Sequence, residues 1–143
     1  MEDKARAQQR VAHLAAKDRF AQAMGVRFVD GGPGCATVAM TVREQHLNFN
    51  GTCHGGAIFA FADAAFGLAS NSHGAIAAGI DAHITYQLAA GLGDELTATA
   101  IEVSRSRRLA VYRIDVTRAD GAMISSFTGT VYITARHHGE SGA

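Results

Sequence analysis

The stretch HGGAIFAFADAAFGLASN, residues 54–71, decides the fold. Alanine, phenylalanine, isoleucine and leucine dominate it, and the Asn-Ser-His-Gly sequence at 71–74 is typical of a helix end. Apolar residues occupy nearly every side of this helix, whereas a helix at a water boundary would have a polar face. We therefore predict a central helix around which the rest of the protein wraps.

The residues after this helix alternate with a period of two, as β-strands with one buried face do. In residues 77–87 the even-numbered positions from Ala78 to Tyr86 are apolar, so we expect that face to lie in the core. Further strands are predicted at residues 96–103, at residues 110–117 with Tyr112, Ile114 and Val116 inward, and around the buried set Met123, Phe127, Val131 and Ile133.

The residues before the central helix contain one more helix and a hairpin. Residues 1–24 are rich in alanine and charged residues with a ragged apolar stripe, which predicts an N-terminal surface helix. Residues 26–29 and 36–42 are expected to pair around the Gly-Gly-Pro-Gly turn at 31–34. Residues 43–53 show no clean period and are predicted to form a loop.

A curved antiparallel sheet wrapped around one apolar helix satisfies both patterns, because the sheet covers the helix and keeps a polar outer face. The predicted fold class is therefore α+β. With 143 residues the chain can bury one core but is too short for two, so residues 1–143 are expected to form one domain. Residues 137–143 are expected to be a flexible tail.

Charge and hydropathy exclude several partners. Thirteen basic and thirteen acidic residues leave no net charge, so neither nucleic acid nor an anionic membrane is expected as a partner. No apolar stretch is long enough to span a membrane, and residues 1–24 contain no signal-peptide core, which predicts a cytoplasmic protein. Cys35 and Cys53 are interpreted as reduced thiols rather than as a disulfide.

Asp63 is the only charged residue between Gly55 and Asn71. A carboxylate in an apolar helix carries a desolvation cost of several kcal/mol unless partners satisfy it, so its presence calls for a reason. A catalytic role is the reason we favour. The alternative is a structural aspartate that is hydrogen-bonded by hydroxyl or backbone N–H groups of another element.

His54, Gly55 and Gly56 begin the same helix. Glycines at a helix start allow a ligand oxygen to approach bare N–H groups at the positive end of the helix dipole, which is the geometry of an oxyanion hole. Taken alone the pair of glycines is equally compatible with a flexible turn.

Gly55 and Asp63 cannot serve one substrate carbonyl within one chain. They are eight residues apart, so they lie roughly 12 Å apart along the helix axis, whereas reacting groups must lie within about 3.5 Å. If two central helices run antiparallel across a two-fold axis, Asp63 of one chain reaches the Gly55 end of the other. The residues thus predict a homodimer with two composite sites, provided that both are catalytic.

Three segments together form a recognisable signature: Leu47-Asn48, Cys53-His54-Gly55-Gly56 and Phe59-Ala60-Phe61-Ala62-Asp63. In these segments the sequence resembles the PaaI-type hotdog thioesterases, a family that includes thioesterases of phenylacetate breakdown. The resemblance implies a hotdog fold, a homotetramer built from two dimers, and hydrolysis of an acyl-CoA.

The resemblance also implies a role for each matching residue. Asp63 would be the base or nucleophile, and the Gly55 N–H would polarise the thioester carbonyl. Asn48 and His54 would help to place that carbonyl or the attacking water. The substrate implied is an aryl-acetyl thioester, with medium-chain fatty acyl groups as the alternative. Coenzyme A would then be part of the substrate, and no separate cofactor is expected.

Other candidate contacts are less specific. Arg105, Arg107 and Arg108 are predicted at the start of a strand, where they would hold coenzyme A phosphates or simply form a solvated basic edge. Asp81 and His83 share one strand face and would line the composite site or pair across it. Gly56 is a candidate substrate contact at the helix start.

Alternative readings remain for the residues that carry chemistry. The seven histidines show no spacing that would build a zinc tetrahedron, so no metal is expected. Cys53 beside His54 suggests a thiol nucleophile, although a small buried cysteine is commoner. A hotdog dehydratase and a non-catalytic acyl-CoA-binding domain are further possibilities. Aromatic residues that would line an acyl pocket or simply fill the core are Phe49, Phe59, Phe61, Phe66 and Tyr86.

Overall fold

The computed structural model describes residues 2–139, with side chains from residue 4 onward. Its helices are α1 (Glu2–Lys17), α2 (Arg19–Ala23), a short 3₁₀ helix (Glu44–His46) and α3 (Gly55–Ser70). Its strands are β1 (Arg27–Gly32), β2 (Cys35–Thr41), β3 (Ala75–Tyr86), β4 (Glu95–Arg105), β5 (Leu109–Arg118) and β6 (Met123–His137). The strands form one antiparallel sheet in the order β1-β2-β4-β5-β6-β3.

The core lies between α3 and the face of the sheet on which it packs. Phe66 of α3 contacts Tyr112 and Phe127 with ring centroids 6.0 and 5.6 Å apart. Gly129 of β6 makes room for it, because a Cβ atom at that position would lie 2.6 Å from the Phe66 ring. The inward set predicted for β5 is confirmed, since Tyr112, Ile114 and Val116 are fully buried.

The ends of α3 agree with the sequence prediction. His54 is the N-cap, and its Nδ1 accepts a hydrogen bond of 2.8 Å from the Gly56 N–H. Asn71 is the C-cap: its amide donates to the Gly67 carbonyl at 2.9 Å, and its Oδ1 accepts from the Ala77 N–H at 2.9 Å. Asn71 therefore also connects the helix to the beginning of β3.

The prediction that α3 is wrapped on every side is wrong for the single chain. Gly56, Asp63 and Gly67 are exposed, and Ala60 and Ala64 are only partly buried. These residues recur every three or four positions, so they form one stripe along the helix. The sheet covers the opposite side, and the N-terminal helices cover only one flank of the stripe.

The prediction for β3 holds over only part of the strand. A bulge between Gly79 and Asp81 shifts the pairing with β6. Before the bulge, Gly79 rather than its even-numbered neighbours approaches Phe66; after it, Ile84 lies opposite the buried Phe127. Because β3 is an edge strand, Ile80 stays 60% exposed and Tyr86 48% exposed.

The outer face of the sheet is less polar than predicted. Exposed apolar side chains lie near the β4–β5 hairpin and on the adjoining part of β6, namely Ile101, Val103, Leu109 and Tyr132. A single chain thus leaves apolar surface uncovered both here and along β3.

The two ends of the chain also differ from expectation. The N-terminal helix breaks at Asp18, which has extended backbone angles and N-caps α2. Of the predicted tail, His137 belongs to β6, and the His138 ring is hydrogen-bonded to Asn71 Oδ1 at 2.8 Å. Residues 140–143 lie outside the described residues. Across residues 2–139, none of the helices has the length and apolar character needed to cross a membrane.

Candidate active site

Asp63 lies on the exposed stripe of α3, in a cleft of about 410 Å³. The cleft lies between α3, the two N-terminal helices and the C-terminal end of the described chain. Its lining residues are Leu14, Asp18, Phe20, Ala21, Ala60, Asp63, Ala64, Gly67, Leu68, Asn71 and His138. Most of these side chains are apolar, so the cleft offers an apolar group a place beside the carboxylate.

The Asp63 carboxylate has no hydrogen-bond or ion-pair partner among residues 4–139. The side chain reaches solvent on one side, but the cleft walls remove water from the carboxyl group, and this desolvation raises its pKa. The negative charge of Asp18 raises the pKa further. A structural aspartate would be satisfied by partners, and the chain that is described supplies none to Asp63.

Gly55 is the first residue of α3, where a backbone N–H has no acceptor within the helix. Its carbonyl accepts a hydrogen bond of 2.9 Å from the Tyr86 hydroxyl. A Cβ atom on Gly55 would lie 3.2 Å from the Tyr86 ring, so a larger residue would push that ring aside. A second, smaller cleft of about 260 Å³ opens here, lined by Cys53, Gly55, Ile58, Tyr86, Gln87, Leu88 and Ala89.

The role of Tyr86 beside Gly55 was missed from the sequence. The alternation of β3 indicates only that Tyr86 faces inward, and its contact with a residue 31 positions away is set by the sheet. The hydroxyl fixes the carbonyl of Gly55, and thereby the orientation of the peptide planes at the helix start.

His54 directly precedes Gly55, and its ring is held by a local hydrogen bond. Since Nδ1 of His54 accepts from Gly56, the neutral ring carries its proton on Nε2. The Gly56 N–H therefore already donates to the His54 ring, whereas the Gly55 N–H has no acceptor among the described residues.

The Asn48 side-chain oxygen organises the loop that leads into α3. It accepts from the backbone N–H groups of Asn50 and Thr52 at 2.9 and 3.1 Å. The Asn48 amide NH₂ group has no partner within residues 4–139 and remains able to donate to a ligand.

The structure does not bring Gly55 and Asp63 together in one chain. Both lie on the same straight helix, eight residues apart, and they line two clefts that share no residue. Each chain thus carries two separate halves of the predicted site.

The predicted arginine cluster lies at the other end of the sheet from Gly55. Arg105 ends β4 and is 3.9 Å from Glu102, while Arg107 and Arg108 lie in the hairpin turn before β5 rather than at a strand start. Leu109, just after this turn, pairs with Tyr132 of β6, and Tyr132 in turn pairs with Ala78 near the beginning of β3. Tyr86, which contacts Gly55, is at the other end of β3. The separation along β3 is on the order of 25 Å.

Asp81 and His83 lie on the face of β3 that points away from α3. They pair with Thr130 and Thr128 of β6, whose neighbours in sequence face the core. Neither side chain has a partner among the described residues.

The predicted aromatic set does not form one acyl pocket. Phe61 and Phe66 are buried in the core, and Phe59 packs on Phe127 with ring centroids 5.2 Å apart. Phe49 is 98% exposed. Tyr86 lines the cleft at Gly55, whereas the aromatic residue in the Asp63 cleft is Phe20, which was not among the predicted set.

Burial rules out the thiol of Cys53 as a ready nucleophile. Desolvation raises its pKa to about 11, so the reactive thiolate is scarce near neutral pH. Among the described residues, no group of three histidine, cysteine, aspartate or glutamate side chains is arranged to hold a metal ion.

A six-stranded antiparallel sheet packed on one central helix is the hotdog arrangement. The model of the thioesterase superfamily matches residues 50–125. The acyl-coenzyme A thioesterase PaaI of Escherichia coli is 36% identical over 112 residues, which cover 78% of this chain and 80% of that protein.

Two solved structures extend the comparison. The structure of the E. coli PaaI protein, from the phenylacetic acid degradation operon, superposes with a TM-score of 0.91 at 31% identity, covering 94% of this chain and 98% of that one. A Streptococcus mutans protein bound to acetyl-CoA has a TM-score of 0.76 at 29% identity, covering 78% and 90%. The chain belongs to the thioesterase superfamily and is a PaaI-type hotdog thioesterase. The predicted family and fold are confirmed.

The two cysteines provide a direct test of the Cys53 environment. At pH 8, iodoacetamide should label the exposed Cys35 and leave Cys53 largely unmodified, because burial keeps Cys53 as a thiol. Mass spectrometry of tryptic peptides measures this, with the urea-unfolded protein as the control in which both cysteines react. Equal labelling in the folded protein would contradict the assignment.

Proposed function

We propose that the protein hydrolyses an aryl-acetyl-CoA thioester to the free acid and coenzyme A, in sites shared between two subunits. Asp63 of one subunit acts as the base or nucleophile, and the Gly55 N–H of the other subunit stabilises the oxyanion. The observation that carries the proposal is the Asp63 carboxylate, which lies beside an apolar cleft without a partner among the described residues.

Thioester hydrolysis needs an activated attacking group on one side of the carbonyl and donors for the developing negative charge on the other. As a base, Asp63 removes a proton from water while the water oxygen bonds to the carbonyl carbon. The carbon–sulfur bond then breaks, and the coenzyme A thiolate leaves and takes up a proton. Because this thiolate is a good leaving group, no strong general acid is needed.

The start of α3 suits the oxyanion. The Gly55 N–H is at the positive end of the helix dipole, and the missing side chain allows close approach. The free amide NH₂ of Asn48 and the Nε2–H of His54 are further donors near the same end. Their proposed task is to position the thioester carbonyl or the attacking water.

Uncovered surfaces support the assembly that this site requires. The α3 stripe of small residues, Gly56, Ala60, Ala64 and Gly67, lets a second helix approach closely, and β3 is an unpaired sheet edge. Two chains that meet along these features with antiparallel helices place Asp63 of each near Gly55 of the other. The apolar patch on the outer sheet face, with Ile101 and Tyr132, supports pairing of two such dimers into a tetramer.

The acyl group is proposed to enter the Asp63 cleft. Leu14, Phe20 and Leu68 give that cleft apolar walls, and its volume of about 410 Å³ accommodates a phenylacetyl group. The E. coli relative from the phenylacetic acid degradation operon supports the same class. Medium-chain fatty acyl groups are the alternative substrate. Arg107 and Arg108, exposed in the β4–β5 turn, are proposed contacts for coenzyme A phosphates.

Substitution of Asp63 by asparagine tests the proposed chemistry, because it keeps the size of the side chain and removes the carboxylate. Free-thiol release from phenylacetyl-CoA should fall by about 10²-fold or more. The matched control is Asp120→Asn in the β5–β6 turn, which should keep its activity.

The proposed acyl specificity is tested with the unmodified protein: octanoyl-CoA should be hydrolysed with a lower kcat/KM than phenylacetyl-CoA.

The oligomeric size of each variant is checked by light scattering before the rates are compared. Full turnover by Asp63→Asn would contradict the assignment of Asp63 as the base or nucleophile. Binding of acyl-CoA without turnover by the unmodified protein would favour a non-catalytic binding domain instead.

The Gly55 N–H can be removed with little change to the backbone. Proline is tolerated as the first residue of a helix, and His54 already has the extended conformation (ψ 136°) that proline requires of the preceding residue. Gly55→Pro should reduce kcat by roughly 10²-fold, as loss of one oxyanion donor does. Gly55→Ala is the control, since it adds the same Cβ near Tyr86 but keeps the N–H.

Steady-state kinetics with both variants separates the two effects. Equal losses in Gly55→Ala and Gly55→Pro would show that crowding of Tyr86, and not the N–H, is responsible. That result would remove Gly55 from the proposed oxyanion hole.

A further inference from the structure

Asp18 is a second carboxylate in the Asp63 cleft. It lies at the break between α1 and α2, and the cleft that these helices form against α3 is lined by both aspartates. From the sequence alone, Asp18 falls within the predicted N-terminal surface helix, and no function is predicted for it.

The position of the Asp18 side chain is set by its capping role. Its Oδ1 accepts a hydrogen bond of 3.0 Å from the Ala21 N–H, and its backbone carbonyl accepts from the Gln22 N–H at 3.1 Å. These bonds hold the carboxylate in the cleft wall, so its charge acts on the cleft from a fixed place.

No cation neutralises this charge among the described residues. Lys17 and Arg19 flank Asp18 in sequence, but both side chains are exposed and neither forms an ion pair with it. The backbone N–H bond of the cap is therefore the interaction that stabilises the Asp18 carboxylate.

The other groups that face Asp63 add little charge. The lining from α1, α2 and α3 is otherwise apolar or, at Asn71, a neutral amide. His138, the remaining titratable residue of the cleft, has a lowered pKa because of burial and the positive charges of Arg10 and Lys17. It is therefore predominantly neutral at neutral pH, and Asp18 is the charge that Asp63 faces within its own chain.

We propose that Asp18 is a positioning residue of the thioesterase site, whose fixed negative charge in the cleft wall makes the Asp63 carboxylate a stronger base. The proposal rests on the catalytic role of Asp63 put forward above. A like charge nearby disfavours the ionised form of a carboxylate, so proton uptake by Asp63 becomes easier as the thioester is attacked. The cost is that a larger fraction of Asp63 is protonated, and inactive, under acidic conditions.

The substitution Asp18→Asn separates the charge from the cap, because asparagine is as good an N-cap as aspartate. Without the Asp18 charge the pKa of Asp63 should fall. The acid limb of the kcat/KM profile should then move to lower pH, and the rate on the plateau should drop by a few-fold because the base is weaker. Asp120→Asn is the control: Asp120 also caps a backbone N–H, that of Ala122, but lies in the β5–β6 turn. Its profile should match that of the unmodified protein.

A second readout does not depend on turnover. Carboxyl ¹³C NMR of aspartate-labelled protein follows the titration of Asp63, assigned by its loss in Asp63→Asn. A lower Asp63 midpoint in Asp18→Asn, together with an unchanged melting temperature, supports the proposal. An Asp63 titration and acid limb identical to those of the unmodified protein would overturn it and leave Asp18 as a helix cap only. Failure of the proposed function gives a different result, namely full turnover by Asp63→Asn.

Discussion

Packing of α3 against the sheet is the interaction on which the rest of the structure depends. Phe61 and Phe66 are buried, Phe66 contacts Tyr112 and Phe127, and Gly129 leaves room for the Phe66 ring. Loss of one such aromatic side chain typically costs about 3–5 kcal/mol, so this contact fixes the rotation of the helix. With that rotation fixed, the remaining stripe of α3, which carries Asp63, must face outward.

The helix then imposes its own constraint on the chemistry. The start of α3 provides a partial positive charge and, at Gly55, a backbone N–H without an acceptor within the helix, and the middle of α3 provides the Asp63 carboxylate. A rigid helix keeps the Gly55 N–H and the Asp63 carboxylate apart. A second copy is the simplest way to join them, and the small residues of the stripe permit its approach. Catalysis and assembly are thus proposed to depend on the same surface, and any change that improves the solubility of the single chain there would be expected to impair the site.

Local patterns predicted the parts of the structure that local physics determines. The bounds of α3, the inward face of β5 and the unusual position of Asp63 follow from periodicity, capping residues and the desolvation of charge. The family resemblance, in the residues around His54 and Asp63, supplied the hotdog fold and the activity class. Both agree with the structure and with the relatives.

Features set by distant contacts were not predictable. The bulge at Gly79–Asp81 reverses the alternation of β3, and the edge position of that strand depends on the order of the whole sheet. Asp18 looked like one charge among many in a surface helix, although the backbone break there brings it to the Asp63 cleft. Tyr86 could be interpreted only as an acyl-pocket or core residue, because nothing in its sequence neighbourhood indicates the contact with Gly55.

The most direct test of a site shared between subunits is turnover by mixed dimers. Asp63→Asn and Gly55→Pro chains, each inactive by itself, are co-expressed with different affinity tags, and the doubly tagged species is isolated. A shared site predicts that each mixed dimer has one intact site and one with both defects, and hence roughly half of the wild-type turnover. Mixed dimers as inactive as either parent would contradict the account, because every site would then be built from a single chain.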